Sequence, residues 1–230
     1  MKSVAIIPSA GMGRRMGKMK KPLIPLSNSP VLAHTLLPFE RSPLIDAIIL
    51  VVPNDDREMY RKEIVAASGF RKVIDVASGG AERQDSVRAA LDALADSWDI
   101  IVVHDGARPF VTVDLIERAV KEAMKGGAAI AAVPVKDTIK EVANGKVTRT
   151  VPRDGLWSVQ TPQAFRAEVL REAHERAVED SFSGTDDAAL VERLGHAVSI
   201  VEGSYENIKI TTPEDIVVGE AILRAREGEE

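Results

Sequence analysis

Val4-Ala5-Ile6-Ile7 runs straight into Pro8-Ser9-Ala10-Gly11-Met12-Gly13-Arg14-Arg15-Met16, an unbroken apolar segment emptying into a loop of small residues and two arginines. Continuous rather than alternating hydrophobicity means burial on both faces, the habit of strands in a parallel sheet. Working outward, β-branched runs at 47–52, 73–77, 100–103 and 128–135 repeat the pattern. Segments 30–39, 55–67, 82–94 and 114–125 carry helical spacing between them. Strand and helix thus alternate as βαβ units with right-handed crossovers. The expected fold is a single-domain, Rossmann-like, doubly wound and mostly parallel α/β sheet spanning 1–230.

The alternation stops after Val135. Lys136 to Val142 and Lys146 to Val151 flank Asn144-Gly145, a two-residue hairpin signal. This predicts a protruding β-ribbon arm at about 136–155. Its strands are polar on both faces, and a lone two-stranded ribbon is marginal in water, so the arm is expected to pack on a second copy and make a homodimer. Helical patterns return at 166–178 and 186–194, strand-like ones at 198–201 and 207–210, and a last helix opens at Thr212-Pro213-Glu214-Asp215. The terminal Arg226-Glu227-Gly228-Glu229-Glu230 has nothing apolar to bury and is expected to fray.

Hydrophobic residues make up 45% and charged residues 28% of the 230, an ordinary globular composition. The formal charge of −5 is spread along the chain, which argues against a broad nucleic-acid surface, so any phosphate site must be local. Cysteine is absent, excluding disulfides, thiolate catalysis and thiolate metal ligation and fitting a reducing compartment. The apolar run after Lys2 is too short for a secretory signal and no later one has bilayer length. A cytoplasmic protein without a membrane partner is expected.

Three strand-end loops carry the chemistry. In open α/β sheets ligands bind beyond the carboxyl ends of strands, where glycine lets backbone N–H groups approach phosphate oxygens. Gly11 and Gly13 suit that task, with Arg15 and Lys21 adding charge where an α-phosphate gains it during in-line displacement. The loop has neither the third glycine of a dinucleotide fingerprint nor a Gly-Lys-Ser/Thr, which argues against dehydrogenases and P-loop kinases. A plain glycine turn beside solvated basic residues would leave the same pattern. His104-Asp105-Gly106-Ala107-Arg108-Pro109 puts a carboxylate and a guanidinium on one turn. Asp105 would suffice for Mg²⁺, which needs one or two carboxylates plus water and phosphates, or it would simply pair with Arg108. Ser78-Gly79-Gly80-Ala81-Glu82-Arg83-Gln84-Asp85-Ser86 offers amides to a base edge, or plain helix capping.

Together these segments resemble the 2-C-methyl-D-erythritol 4-phosphate cytidylyltransferases of the non-mevalonate isoprenoid pathway. The likeness covers almost the whole chain: Ala10 to Met16, Lys21-Pro22, Gly79-Gly80 through Arg83, Asp85-Ser86-Val87, His104-Asp105, Ala107-Arg108-Pro109, Val135 through Thr138, Thr161-Pro162-Gln163, Thr185-Asp186 and Asn207-Ile208-Lys209. The resemblance implies a Mg²⁺-dependent enzyme that joins CTP to a polyol phosphate and releases pyrophosphate. It further implies that Arg15 and Lys21 stabilise the pentacoordinate phosphorus, and that Arg153 and Lys209 hold the incoming phosphate. Arg153 and Thr138 would come from the partner's arm. Ala10, Gly11, Gly13, Gly80, Ser86 and Ala107 would bind the nucleotide, with Gly80, Ser86, Ala107 and Lys209 on its cytidine side. Asp105, Arg108, Thr161 and Thr185 would meet the acceptor, Asp105 also serving the metal. The chain departs from the family at Ser9 and Gly106, where alanine is frequent, at Ala81, where an acid is frequent, and at Glu206, where aspartate is common.

A ribitol 5-phosphate cytidylyltransferase would share the nucleotide loops, and a catalytically silent nucleotide-binding dimer would share the fold. Arg15, Lys21, Asp105, Arg153 and Lys209 speak for turnover. His34, His174 and His196 fall in helical or connecting segments and read as structural, while His104 reads as orienting the Asp105 turn.

Overall fold

A computed structural model describes residues 1–11, 21–95 and 97–228, without the side chains of Lys21 and Glu227. The first apolar run is β1 (Ser3–Pro8). A small hairpin of β2 (Pro25–Leu26) and β3 (Ser29–Pro30) leads into α1 (Val31–Arg41) and β4 (Ala47–Val52). The expected helix at 55–67 is α2 (Arg57–Tyr60) continued by a π-helical stretch, Arg61–Ala66. There follow β5 (Val73–Ser78), α3 (Arg83–Ala93), β6 (Ile100–Val103), α4 (Val113–Gly126) and β7 (Ala128–Pro134). α4 is capped at both ends, by the Thr112 side chain accepting from Leu115 N and by Gly127 at φ 91°.

Period-two alternation divides the core between the sheet's faces. Ala5, Ile7, Ile48, Leu50, Val52, Ile100 and Val102 pack on one side with α1, the π-helical stretch and α4. Val4, Ile6, Ile49, Val51, Ile101 and Val103 pack on the other with α3 and the later helices. Every residue of β4 and β6 is buried. Removing one such side chain, as in Ile6→Ala, is therefore a cavity mutation of about 2–5 kcal/mol.

The arm is present as β8 (Ile139–Ala143) and β9 (Lys146–Val151), paired antiparallel. Asn144 and Gly145 both take positive φ, 52° and 74°, as a type I′ hairpin turn requires. The chain returns through β10 (Trp157–Arg166), α5 (Ala167–Glu179), α6 (Asp187–Arg193), β11 (Ser199–Glu202) and α7 (Pro213–Glu227). The sheet runs β11-β7-β10-β6-β1-β4-β5. Of its seven strands, β10 alone lies antiparallel to its neighbours β6 and β7.

Three expectations need correction. β10 was not anticipated, because Gln160, Thr161, Pro162 and Gln163 make a polar stretch with a residue that cannot donate to a ladder. Its register shifts between Val159 and Gln163, so Pro162 sits in a bulge. Residues 207–210 form no strand; Asn207 is instead tied to β10 through Nδ2, which donates to Thr161 O (2.9 Å) and Gln160 Oε1 (3.2 Å). The end of α7 is anchored, since Arg226 Nη2 donates to Phe110 O at 3.1 Å and to Glu206 Oε2 at 3.0 Å.

Candidate active site

The parallel strands β1, β4, β5 and β6 end on one edge of the sheet, and the three loops of interest leave from it. In the corner between β1 and β5 the backbones are in close approach. A Cβ on Gly79 would run into Ala10 Cβ and Ser86 Oγ, and one on Gly80 into Asp85. Gly80 N donates to Ser86 Oγ (3.2 Å), and Ser86 Oγ donates to Glu82 O (3.1 Å). Glu82 and Asp85 close a capping box on α3, so its positive end faces this corner. Gly11 is exposed, with open space around it. Ala10, Gly11, Gly80 and Ser86 therefore share one corner. Ala107, in the turn that follows β6, accepts from Ile210 N at 2.8 Å.

Beside it, Asp105 is surrounded by three cations. Lys209 Nζ lies 2.9 Å from Oδ2, Arg108 Nε 3.3 Å from Oδ2, and Arg83 Nε 3.1 Å from Oδ1. Burial acts to raise the Asp105 pKa, but Lys209, Arg83 and Arg108 outweigh it and hold the carboxyl well below the usual range. Around this one carboxylate cations are in excess, which suits a local phosphate contact, while Asp186 and Glu192 in the cleft lining and Asp187 behind Arg83 offset them. Arg83, Asp105, Arg108, Gln160, Thr161 and Lys209 line a cleft of about 430 Å³ that also reaches Thr185 and Asp186.

The Asp105 turn is fixed from behind. His104 is fully buried, with Nε2 3.1 Å from Arg108 O and Nδ1 3.0 Å from Thr161 Oγ1. A carbonyl can only accept, so Nε2 carries the hydrogen and Nδ1 accepts from the Thr161 hydroxyl. Thr161 Oγ1 in turn accepts from Asp105 N at 3.1 Å. The imidazole is thus satisfied in its neutral form, and burial lowers its pKa from 6.5 to about 4. It orients the turn, as expected.

The cleft unites Asp105, Arg108, Thr161, Thr185 and Lys209 from the candidate residues. Thr138 and Arg153 are outside it, exposed at the base of the arm, where Arg153 Nη1 donates to Lys136 O. Arg15 and Gly13 lie outside the described residues. The backbone of Lys21 opens a 3-10 turn, Lys21–Leu23. Sequence reading matched Arg83 and Asn207 to the family without giving either a role. Arg83 joins two carboxylates in the cleft wall, and Arg108 Nη1 donates to Asn207 O at 2.9 Å. Two buried carboxylates, Asp105 and Asp187, facing a single arginine would have been the signal, but only the fold makes them neighbours.

The Asp105 donor set fits a Mg²⁺ ion poorly. Both carboxylate oxygens are engaged by cations, and a divalent ion would have to displace at least one. Among the described residues no group of three or more His, Asp or Glu side chains could hold a metal. No described helix is long and apolar enough to cross a membrane.

The family model for 2-C-methyl-D-erythritol 4-phosphate cytidylyltransferase (IspD) matches residues 3–225. The chain is 51% identical to the 2-C-methyl-D-erythritol 4-phosphate cytidylyltransferase of Geobacter metallireducens over 226 residues, covering 96% of this chain and 97% of that protein. It is 50% identical to that of Syntrophotalea carbinolica, covering 97% of each. The crystal structure of 4-diphosphocytidyl-2C-methyl-D-erythritol synthase from Anaerococcus prevotii superposes with a TM-score of 0.86 at 33% identity, over 97% of this chain and 96% of that one.

Proposed function

This chain belongs to the 2-C-methyl-D-erythritol 4-phosphate cytidylyltransferase family and is a nucleotidyltransferase; from that premise we propose that it transfers CMP from CTP to 2-C-methyl-D-erythritol 4-phosphate in isoprenoid precursor biosynthesis. An acceptor phosphate oxygen attacks the α-phosphorus of CTP, the bond from that phosphorus to the β-phosphate bridging oxygen breaks, and pyrophosphate leaves with the electron pair. No general base is needed, because a phosphate monoester is already an anionic nucleophile at neutral pH, and alignment and charge neutralisation carry the rate.

The observation that carries this reading is the Lys209-Asp105-Arg108-Arg83 cluster beside the Gly80 and Ser86 corner. The corner offers the open backbone at Gly11 and the positive end of α3 to the nucleotide. Of the three cations around Asp105, Lys209 is the most accessible, its side chain 40% exposed against 28% for Arg83 and 14% for Arg108. Asp105, fixed as a carboxylate, accepts from acceptor hydroxyls, and Thr161 and Thr185 complete the acceptor wall. Arg15 and Lys21 supply charge to the reacting phosphorus.

Mg²⁺ is proposed to arrive on the triphosphate, the usual manner for an ion that keeps its waters and prefers substrate oxygens. An ion held there would supply neutralising charge to the phosphates, and the cations already on both Asp105 oxygens support a placement away from that carboxylate. The chain is proposed to act as a homodimer in the cytoplasm, with Thr138 and Arg153 reaching the partner's cleft. The exposed Val142 and Val147 of the arm, at 55% and 61%, support this by leaving apolar surface to cover.

Incubation with CTP, Mg²⁺ and 2-C-methyl-D-erythritol 4-phosphate, with pyrophosphate as readout, tests the proposal. Faster turnover of ribitol 5-phosphate would overturn the acceptor assignment. Nucleotide binding without pyrophosphate release from either acceptor would overturn turnover altogether.

A further inference from the structure

Arg83 is tied to more than Asp105. Its Nη1 donates to Asp187 Oδ2 at 2.6 Å, across 104 residues of sequence. Asp187 is 1% exposed and opens α6, immediately after Thr185 and the Asp186 that caps that helix. The second carboxylate oxygen of Asp187 faces His174 Nε2 at 3.1 Å, on the buried side of α5. Burial acts to raise the Asp187 pKa, and Arg83 with His174 reverses this, so the group is held as a carboxylate. A continuous polar chain therefore runs His174-Asp187-Arg83-Asp105, from the helical layer into the cleft wall.

We propose that Asp187 is a positioning residue for the acceptor: it clamps Arg83, and Arg83 in turn fixes the orientation of the Asp105 carboxylate, while the same clamp sets the Thr185 wall at the start of α6. The inference rests on the cytidylyl-transfer reading. A guanidinium has five N–H groups in a rigid fork. With Nε on Asp105 and Nη1 on Asp187, its plane is determined by two separate anchors, and Asp105 cannot turn without breaking one of the bonds. His174 supports the outer anchor from the buried side. The bonds that build the nucleotide corner, among Gly80, Ser86 and Glu82, are separate from those of the clamp, and Lys209 meets Asp105 through Oδ2, the oxygen that Arg83 does not hold. The chain should accordingly govern use of the acceptor and leave CTP use alone.

The test is Asp187→Asn in the full-length enzyme, with KM for each substrate and kcat measured well below the melting temperature. Asparagine keeps an acceptor for Arg83 and loses the charge. The expected result is an acceptor KM raised about 10-fold or more with the CTP KM within about twofold. Arg83→Lys should show the same split, since an ammonium lacks the fork needed to hold both carboxylates, and it supplies the result if Asp187→Asn fails to fold. Equal effects on both substrates, or a lowered melting temperature with both KM values unchanged, would overturn the proposal and leave the chain of contacts merely structural. Calorimetric binding of the acceptor to wild type and variants reads the same discrimination without turnover. An inactive wild type would therefore count against the function above, while unchanged acceptor affinity in the variants would count against the clamp.

Discussion

The Ser9 hydroxyl occupies the space in which a Cβ on Gly106 would sit. A side chain at Gly106 would collide with Ser9 Oγ and come within 3.2 Å of Ser9 Cβ and 3.3 Å of Pro8 O. Ser9 and Gly106 are thus one another's neighbours, packed between the ends of β1 and β6.

Gly106→Ala should accordingly destabilise the protein by about 1–3 kcal/mol through overpacking. Ser9→Ala in the same chain should recover most of that loss. Urea denaturation of the two single variants and the double variant measures the coupling, and strict additivity would mean that the two sites do not share the space.

His104 sets an acid limit. Its pKa is about 4 in the fold against 6.5 outside it, so between those values the unfolded chain takes up a proton that the folded chain refuses. Above pH 6.5 the group contributes nothing to the pH dependence; stability should fall as pH drops from 6.5 to 4, by up to about 3 kcal/mol. The depressed Asp105 carboxyl acts in a lower window, its stabilisation present above the unfolded carboxylate value of 3.8 and lost below it. Denaturation midpoints at pH 7, 5.5 and 4.5 should show the first decline, and His104→Gln should flatten it.

Lys209→Ala separates function from stability. Its ion pair with Asp105 is 40% exposed on the lysine side, and such pairs contribute about 1 kcal/mol or less. Asp105 keeps Arg83 and Arg108, so the fold should be nearly as stable, while loss of a cation beside the phosphates should lower kcat/KM by about 100-fold or more. Melting temperature and steady-state kinetics on the same preparation decide the matter.

The arm can be probed at its turn. Gly145 holds φ 74°, where a β-branched residue is strained, so Gly145→Val should cost about 1–2 kcal/mol locally. If the arm joins two copies, sedimentation equilibrium should show weaker self-association for this variant. Thermal stability at high protein concentration should change less than at low concentration.

The parallel strands could be read because each is a short, mostly apolar run between turn signals, and the arm because Asn-Gly needs two positive φ angles that few other turns supply. β10 could not, since its polar residues look like a loop until Thr161 and Gln163 find their partners in the Asp105 turn and at Asp186. Among the site residues, Asp105, Arg108, Thr161 and Lys209 were named from motifs, and their contacts came only with the fold. Arg83 was in view without a role, because both its carboxylates are remote or unmarked in the chain.

Local pattern was enough for the alternation of strand and helix, the glycine loops at strand ends and the kinds of charge placed there, because hydrophobic period and backbone sterics act over a few residues. Which cation meets which carboxylate, the antiparallel course of β10, and the Arg83 bridge to Asp187 were decided only by the tertiary structure. Those contacts join residues up to 104 positions apart, and their strength depends on a burial that no single segment can provide.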